Sequence, residues 1–243
     1  MPVADERPPL SRRALLRWGW AHCSGIGCAG ALLAAPCAAA TLAAPAASAS
    51  ASVSGAAPPL LLVVGDSLSA EYGLTRGQGW VALLERRLAS QQREVRVVNA
   101  SISGDTTSGG RTRLPALLAR HRPQVVVLEL GGNDALRGLP LASTEANLRA
   151  MAQAARAVGA RVLIAGMQVP PNYGRRYGAD FAALFARVAN EEQAALVPFL
   201  LAGVADGPQA DTLFQPDRIH PRAEAHPRIL DNVWRVLQPL LRG

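Results

Sequence analysis

From Pro58 onward, short apolar runs alternate with longer stretches in which apolar residues recur every three or four positions. Leu60-Leu61-Leu62-Val63-Val64 is apolar throughout and stops at Gly65, as a strand buried on both faces does. Val95–Val98, Val125–Leu130, Arg161–Ala165 and Ala195–Phe199 repeat that pattern and predict four further strands. Between the first two, Trp80–Leu88 places Val81, Leu84 and Leu88 on one helical face, with Glu85, Arg86 and Arg87 beside it. Leu114–Ala119, Ala142–Val158 (stopped by Gly159), Phe181–Gln193 and Ala223–Leu241 read as further helices. Strands alternating with helices imply an α/β fold, doubly wound, with a mostly parallel sheet covered on both faces. No internal repeat interrupts it, so residues 59–243 read as one domain. In such sheets, sites form in the loops beyond the carboxyl ends of the strands.

The N-terminal segment departs from that pattern. Ser11-Arg12-Arg13-Ala14-Leu15-Leu16-Arg17 precedes an uncharged run rich in Ala, Gly and Ser, with small-residue sites such as Ala47-Ser48-Ala49. A charged head, an apolar stretch and small residues at its end describe a cleavable export signal over residues 1–50. The Arg12-Arg13 string resembles a twin-arginine signal. Residues 51–58 then read as a flexible small-residue linker, and the expected destination is the periplasm or the exterior. All three cysteines, Cys23, Cys28 and Cys37, fall in the signal segment. The domain itself is left without disulfides, thiol catalysis or thiolate metal ligands.

Charge adds little. The net charge is +7, and all 25 basic residues are arginines scattered along the chain, while aromatics make up 5%. With no basic stripe, interleaved aromatics or reader motif, nucleic-acid binding is not expected. A basic coat would favour anionic substrates or transient contact with an anionic lipid surface. The sequence says nothing of oligomeric state.

Candidate chemistry gathers at the predicted strand ends. The first strand runs into Gly65-Asp66-Ser67-Leu68-Ser69, which holds Ser67 at the rim of the sheet. The string lacks the second glycine of a Gly-x-Ser-x-Gly elbow, and by itself it also fits a polar turn or helix cap. A serine nucleophile needs a base. His22 belongs to the signal segment, His121 sits at the entry to the third strand, on the wrong edge, and His226 reads as an ordinary half-exposed residue of the last helix. His220 lies in a loop before that helix, with Asp217 three positions earlier, near enough on a turn to hold the second imidazole nitrogen. An oxyanion needs donors. The Ser67 N–H, the Gly104 N–H after the second strand and the Asn133 side-chain amide after the third are placed to supply them.

Gly65-Asp66-Ser67-Leu68, Gly104, Gly131-Gly132-Asn133-Asp134 and Asp217-x-x-His220-Pro221 together resemble the four blocks of the Ser-Gly-Asn-His, or GDSL, hydrolases. Tyr72-Gly73 and Asn99-Ala100-Ser101-Ile102-Ser103-Gly104-Asp105-Thr106-Thr107 are similar to one branch, the bacterial periplasmic multifunctional thioesterases, arylesterases and lysophospholipases. The resemblance implies a flavodoxin-like three-layer α/β/α sandwich on a five-stranded parallel sheet. It also implies hydrolysis of esters or thioesters with no cofactor and no metal, on a small-molecule or lipid ester. Ser67 would be the nucleophile, His220 the base, Asp217 the triad acid, and Gly104 and Asn133 oxyanion donors. The stretch around Pro170, Pro171 and Tyr173 would shape the acyl groove. Two positions depart from the family: Arg218, where glycine is common, and Glu71, where a smaller residue is common near the site mouth. An esterase removing acetyl groups from polysaccharide would use the same residues, and a non-catalytic lipid- or glycan-binding module is the reading of another class.

Overall fold

The computed structural model describes residues 58–242. The expected export signal and all but the last residue of the expected linker lie outside the described residues. Five strands, β1 (Leu60–Gly65), β2 (Arg96–Asn99), β3 (Val125–Glu129), β4 (Arg161–Ala165) and β5 (Ala195–Val197), form one sheet. The order is β2-β1-β3-β4-β5, with every pairing parallel. Among the described residues seven helices accompany it: α1 (Trp80–Ser90), α2 (Thr107–His121), α3 (Gly132–Leu136), α4 (Leu141–Ala157), α5 (Arg175–Glu191), α6 (Ala210–Leu213) and α7 (His226–Leu240). This is the α/β/α sandwich expected from the resemblance. None of the described helices is long and apolar enough to cross a membrane.

The continuous apolar run of β1 is explained by its two faces. Leu60, Leu62 and Val64 pack with Leu114, Leu118, Leu148, Met151, Phe181 and Phe185, from α2, α4 and α5. Leu61 and Val63 point the other way, onto Trp80, Leu84, Ile229 and Val233, from α1 and α7. Alternate residues of one strand thus build two cores, each the apolar face of amphipathic helices. Close packing also fixes the β4 exit. A Cβ on Gly166 would stand 2.4 Å from the backbone oxygen of Pro198, and Gly166 itself donates to Val197 O and accepts from Leu200 N–H.

Several boundaries differ from the sequence expectation for local reasons. Helix α2 starts at Thr107, well before Leu114. Gly109 and Gly110 disguise its first turn, but the Thr106 side chain caps it by accepting from Gly109 N–H. Strand β5 stops at Val197 because Pro198 follows. The closing helix expected from Ala223 is a 3-10 turn, Ala223–Ala225, followed by α7. His226 is corrected too: it is buried, not half-exposed. Its Nδ1 accepts from Trp80 N–H at 3.0 Å, joining α7 to the start of α1. Burial lowers the pKa of the ring, against a hydrogen bond to the Pro221 backbone and the charge of Glu71.

Candidate active site

The chain leaves β1 towards β2 on one side and returns to β3 on the other. The carboxyl ends of β1 and β3 therefore bound the crevice where doubly wound sheets bind ligands. Ser67 follows β1 and Asn133 follows β3, while Gly104 follows β2 and the Asp217–His220 loop precedes α7. The four blocks expected to act together thus leave the sheet along one edge.

The core of the site is a hydrogen-bonded relay. His220 Nε2 lies 2.8 Å from Ser67 Oγ, and His220 Nδ1 lies 2.7 Å from Asp217 Oδ2. The other Asp217 oxygen accepts the N–H groups of Ile219 and His220, at 2.9 and 3.0 Å. Partial burial alone would raise the Asp217 pKa, but those backbone donors and the imidazole outweigh it and bring the carboxyl to about 2. The carboxylate is therefore charged throughout the neutral range and keeps the Nδ1 proton on the ring. That arrangement leaves Nε2 free to accept from Ser67. Tyr72 covers the imidazole, with ring centroids 4.3 Å apart. The loop carrying Tyr72 is tied down by Gln215, whose amide donates to Tyr72 O and Pro221 O.

The loops carrying the expected oxyanion donors are linked to one another. Asn133 Nδ2 donates to Asp66 Oδ2 at 3.0 Å, which fixes the amide plane beside the nucleophile's turn and leaves its second N–H available. Gly104 adopts φ +78°, a left-handed conformation suited to glycine, and its carbonyl accepts from Arg137 at 2.8 Å. Behind Asn133, buried Asp134 accepts from both the backbone N–H and the hydroxyl of Thr107, and from the Thr144 hydroxyl. The start of α2, α3 and α4 are pinned through that one carboxylate.

Of the three groove residues expected from the resemblance, Tyr173 lines a cleft. Pro170 and Pro171 are exposed and start the 3-10 turn Pro171–Tyr173. The cleft, of about 470 Å³, is bounded by Ala135, Leu136, Arg137, Gly138, Tyr173 and Tyr177. It begins two residues beyond Asn133 and does not include Ser67 or His220. Tyr177 was not anticipated, because the α5 helix was expected to begin only at Phe181. The signal was the aromatic spacing of Tyr173, Tyr177, Phe181 and Phe185, which form a continuous row of ring contacts.

The two departures from the family have structural accounts. Arg218 has φ +58°, so this turn places its residue in the left-handed region, where glycine is at ease and arginine is strained. Glu71 does not face the site mouth. Its carboxylate accepts from Gly77 N–H and from Gly79 N–H at 2.7 Å, organising its own loop ahead of α1.

Residues 63–228 match the profile of the GDSL-like Lipase/Acylhydrolase family. The chain belongs to that family. Among members of the family, it is 58% identical over 186 residues to "Esterase TesA" of Pseudomonas aeruginosa, across 76% of this chain and 91% of that one. It is 45% identical to "Thioesterase 1/protease 1/lysophospholipase L1" of Escherichia coli K12, across 76% and 86%. A crystal structure of TesA superposes with a TM-score of 0.72 at 56% identity, covering 74% of this chain and 99% of that one. The flavodoxin-like acylhydrolase fold and the enzymatic class expected from the four blocks are thus those of the family.

Proposed function

We propose that this acylhydrolase cleaves carboxylic esters and thioesters of apolar acyl or aryl groups through an acyl-enzyme on Ser67. The carrying observation is the unbroken relay from Asp217 through His220 to Ser67. In the first half-reaction, His220 Nε2 takes the Ser67 proton while Oγ attacks the carbonyl carbon. The oxyanion is received by the N–H groups of Ser67 and Gly104 and by the free N–H of Asn133. Collapse of the tetrahedral adduct expels the alcohol or thiol, which takes the proton from His220. Water then repeats the sequence and releases the acid.

The apolar preference is supported by the surroundings of the relay. Among the described residues, five of the six exposed large apolar side chains, Tyr72, Ile102, Leu136, Leu139 and Ile219, lie in or beside the segments that carry the four blocks, and the sixth, Val158, follows α4. The names of the relatives point the same way, to ester and thioester substrates, and do not favour the polysaccharide acetyl-esterase alternative. Para-nitrophenyl esters of increasing chain length test this directly. Activity is expected to persist well beyond acetate, whereas a steep fall after two carbons would restore the acetyl-esterase reading. In the same series, Asn133→Ala is expected to lower kcat by roughly a hundred- to a thousandfold, with a much smaller change in KM. Unchanged turnover would remove Asn133 from the oxyanion site.

The place of action follows from residues 1–50, whose sequence has the form of an export signal. Fractionation of cells expressing the full chain is expected to recover a shortened protein outside the cytoplasm. Full-length protein confined to the cytoplasm would reject export.

A further inference from the structure

The last residue of β3 is a carboxyl group in an otherwise apolar strand. Glu129 is fully buried and stands in register with Gly65, the last residue of β1. Its Oε2 accepts from the Ser69 hydroxyl at 2.6 Å and from Asp66 N–H at 3.2 Å. Ser69 Oγ in turn accepts from the Trp80 indole N–H at 3.1 Å. The fit is tight, since a Cβ on Gly65 would lie 2.6 Å from Glu129 Oε2. Glu129 thus grips residues on both sides of Ser67, yet it touches neither Ser67 nor the open site.

Its second oxygen decides the chemistry. Glu129 Oε1 is buried and has no hydrogen-bond partner, and the neighbouring Asp66 carboxylate raises the Glu129 pKa on top of burial. Two carboxylates cannot bond to each other unless a proton stands between them. Among the described residues no cation neutralises the pair. The titratable groups facing it are His220, from the loop before α7, and Asp105, from the β2–α2 junction. Arg113 of α2 is taken up by Asp105 at 2.8 Å and by the carbonyls of Ala100 and Gly65. His226 is turned to Trp80 N–H.

We propose that Glu129 is a positioning residue retained as a neutral acid, which donates its proton to the Asp66 carboxylate and thereby fixes both the Ser67 turn and the Asn133 amide. Asp66 is the link, because its Oδ2 accepts from Asn133 and its Oδ1 from Leu68 N–H. Burial supports this assignment. It raises the Glu129 pKa well above the usual glutamate value, with the Asp66 charge adding to the effect. Burial also pushes Asp66 up to about 6, against its hydrogen bond from Leu68 and the charge of His220. The donors on Asp66, Asn133 and Leu68 N–H, favour its charged form, whereas Glu129 Oε1 has none, so the proton of the pair is assigned to Glu129.

The catalytic part of this inference rests on the hydrolase reading above, but the protonation state does not, so the two can fail separately. Infrared spectra of the wild type at pH 7 are expected to show a protonated-carboxyl carbonyl band that Glu129→Gln removes. No such band, or one that survives the substitution, overturns the proposal. Glutamine can accept from Ser69 and donate to Asp66, so Glu129→Gln is expected to keep kcat within about threefold. Glu129→Leu leaves buried donors unpaired and is expected to lower kcat roughly ten- to a hundredfold with little change in KM. Equal losses in both variants would contradict a neutral acid.

Stability supplies a readout independent of activity, and one that survives if Glu129→Leu fails to fold. The folded-state pKa is raised, so the group's contribution is complete below about 4.5 and is lost as pH rises towards the folded value. Over that interval the unfolding constant of the wild type, relative to Glu129→Gln, is expected to rise by about tenfold per pH unit. A ratio flat with pH would mean that Glu129 is ionised in the folded protein, and would overturn the assignment.

Discussion

Ser67→Ala is expected to lower kcat for para-nitrophenyl esters by roughly a millionfold, the scale on which nucleophile removal acts in serine hydrolases. The reason is that no second hydroxyl can take over. Ser69, two residues on, commits its hydroxyl to Glu129 and to the Trp80 indole. Without Oγ, the His220 base has no proton to abstract and no acyl-enzyme forms. The oxyanion donors remain, so slow attack by water defines the residual rate. The fold is expected to persist, because the substitution removes a single oxygen from a turn held by other bonds. Turnover and thermal melting of the purified variant check both statements. Residual activity above about one per cent of wild type would show that Ser67 is not the nucleophile.

The second large effect is expected at Asp217. Replacement by asparagine preserves the shape and can still accept the Ile219 and His220 N–H groups, now at 2.9 and 3.0 Å. What changes is the contact with His220 Nδ1, at 2.7 Å in the wild type. An amide N–H there donates to Nδ1 and drives the ring proton to Nε2, the nitrogen that must accept from Ser67. The base is present but in the wrong tautomer. A loss of roughly ten-thousandfold in kcat at neutral pH follows, with KM close to wild type. Steady-state kinetics of Asp217→Asn check it, and a loss smaller than tenfold would assign Asp217 to the turn alone.

The sequence made most of the sheet legible because β1, β4 and β5 are apolar runs closed directly by Gly or Pro and β3 is a run of valines and leucine, whereas the partly exposed β2 shows only as Val97-Val98 between polar residues. It made Ser67 and Asn133 legible because each follows such a run, and His220 because Asp217 stands three residues before it in the loop ahead of the last helix. Other features were hidden by physical context. Glu129 ends a run of valines and leucine, and its burial beside Asp66 depends on a register between β1 and β3 that no local pattern encodes. His226 looked like a helical surface residue, since its partner, Trp80 N–H, is 146 residues away. The beginnings of α2 and α5 were masked by glycines, which lower helix propensity without preventing a helix held by packing. Arg218 could be seen to be unusual, but only its φ explains why the family prefers glycine there.

The bond between Ser67 and His220 joins residues 153 positions apart, and this sets when the enzyme can work. The nucleophile belongs to the first strand to be made, whereas its base arrives only with the loop ahead of the last helix. A chain made only as far as β5 carries Ser67 without its base and is chemically silent. Non-local closure of this kind is also slow compared with helix formation. Catalytic competence therefore waits on that closure, and the appearance of activity reports that the two ends of the domain have met.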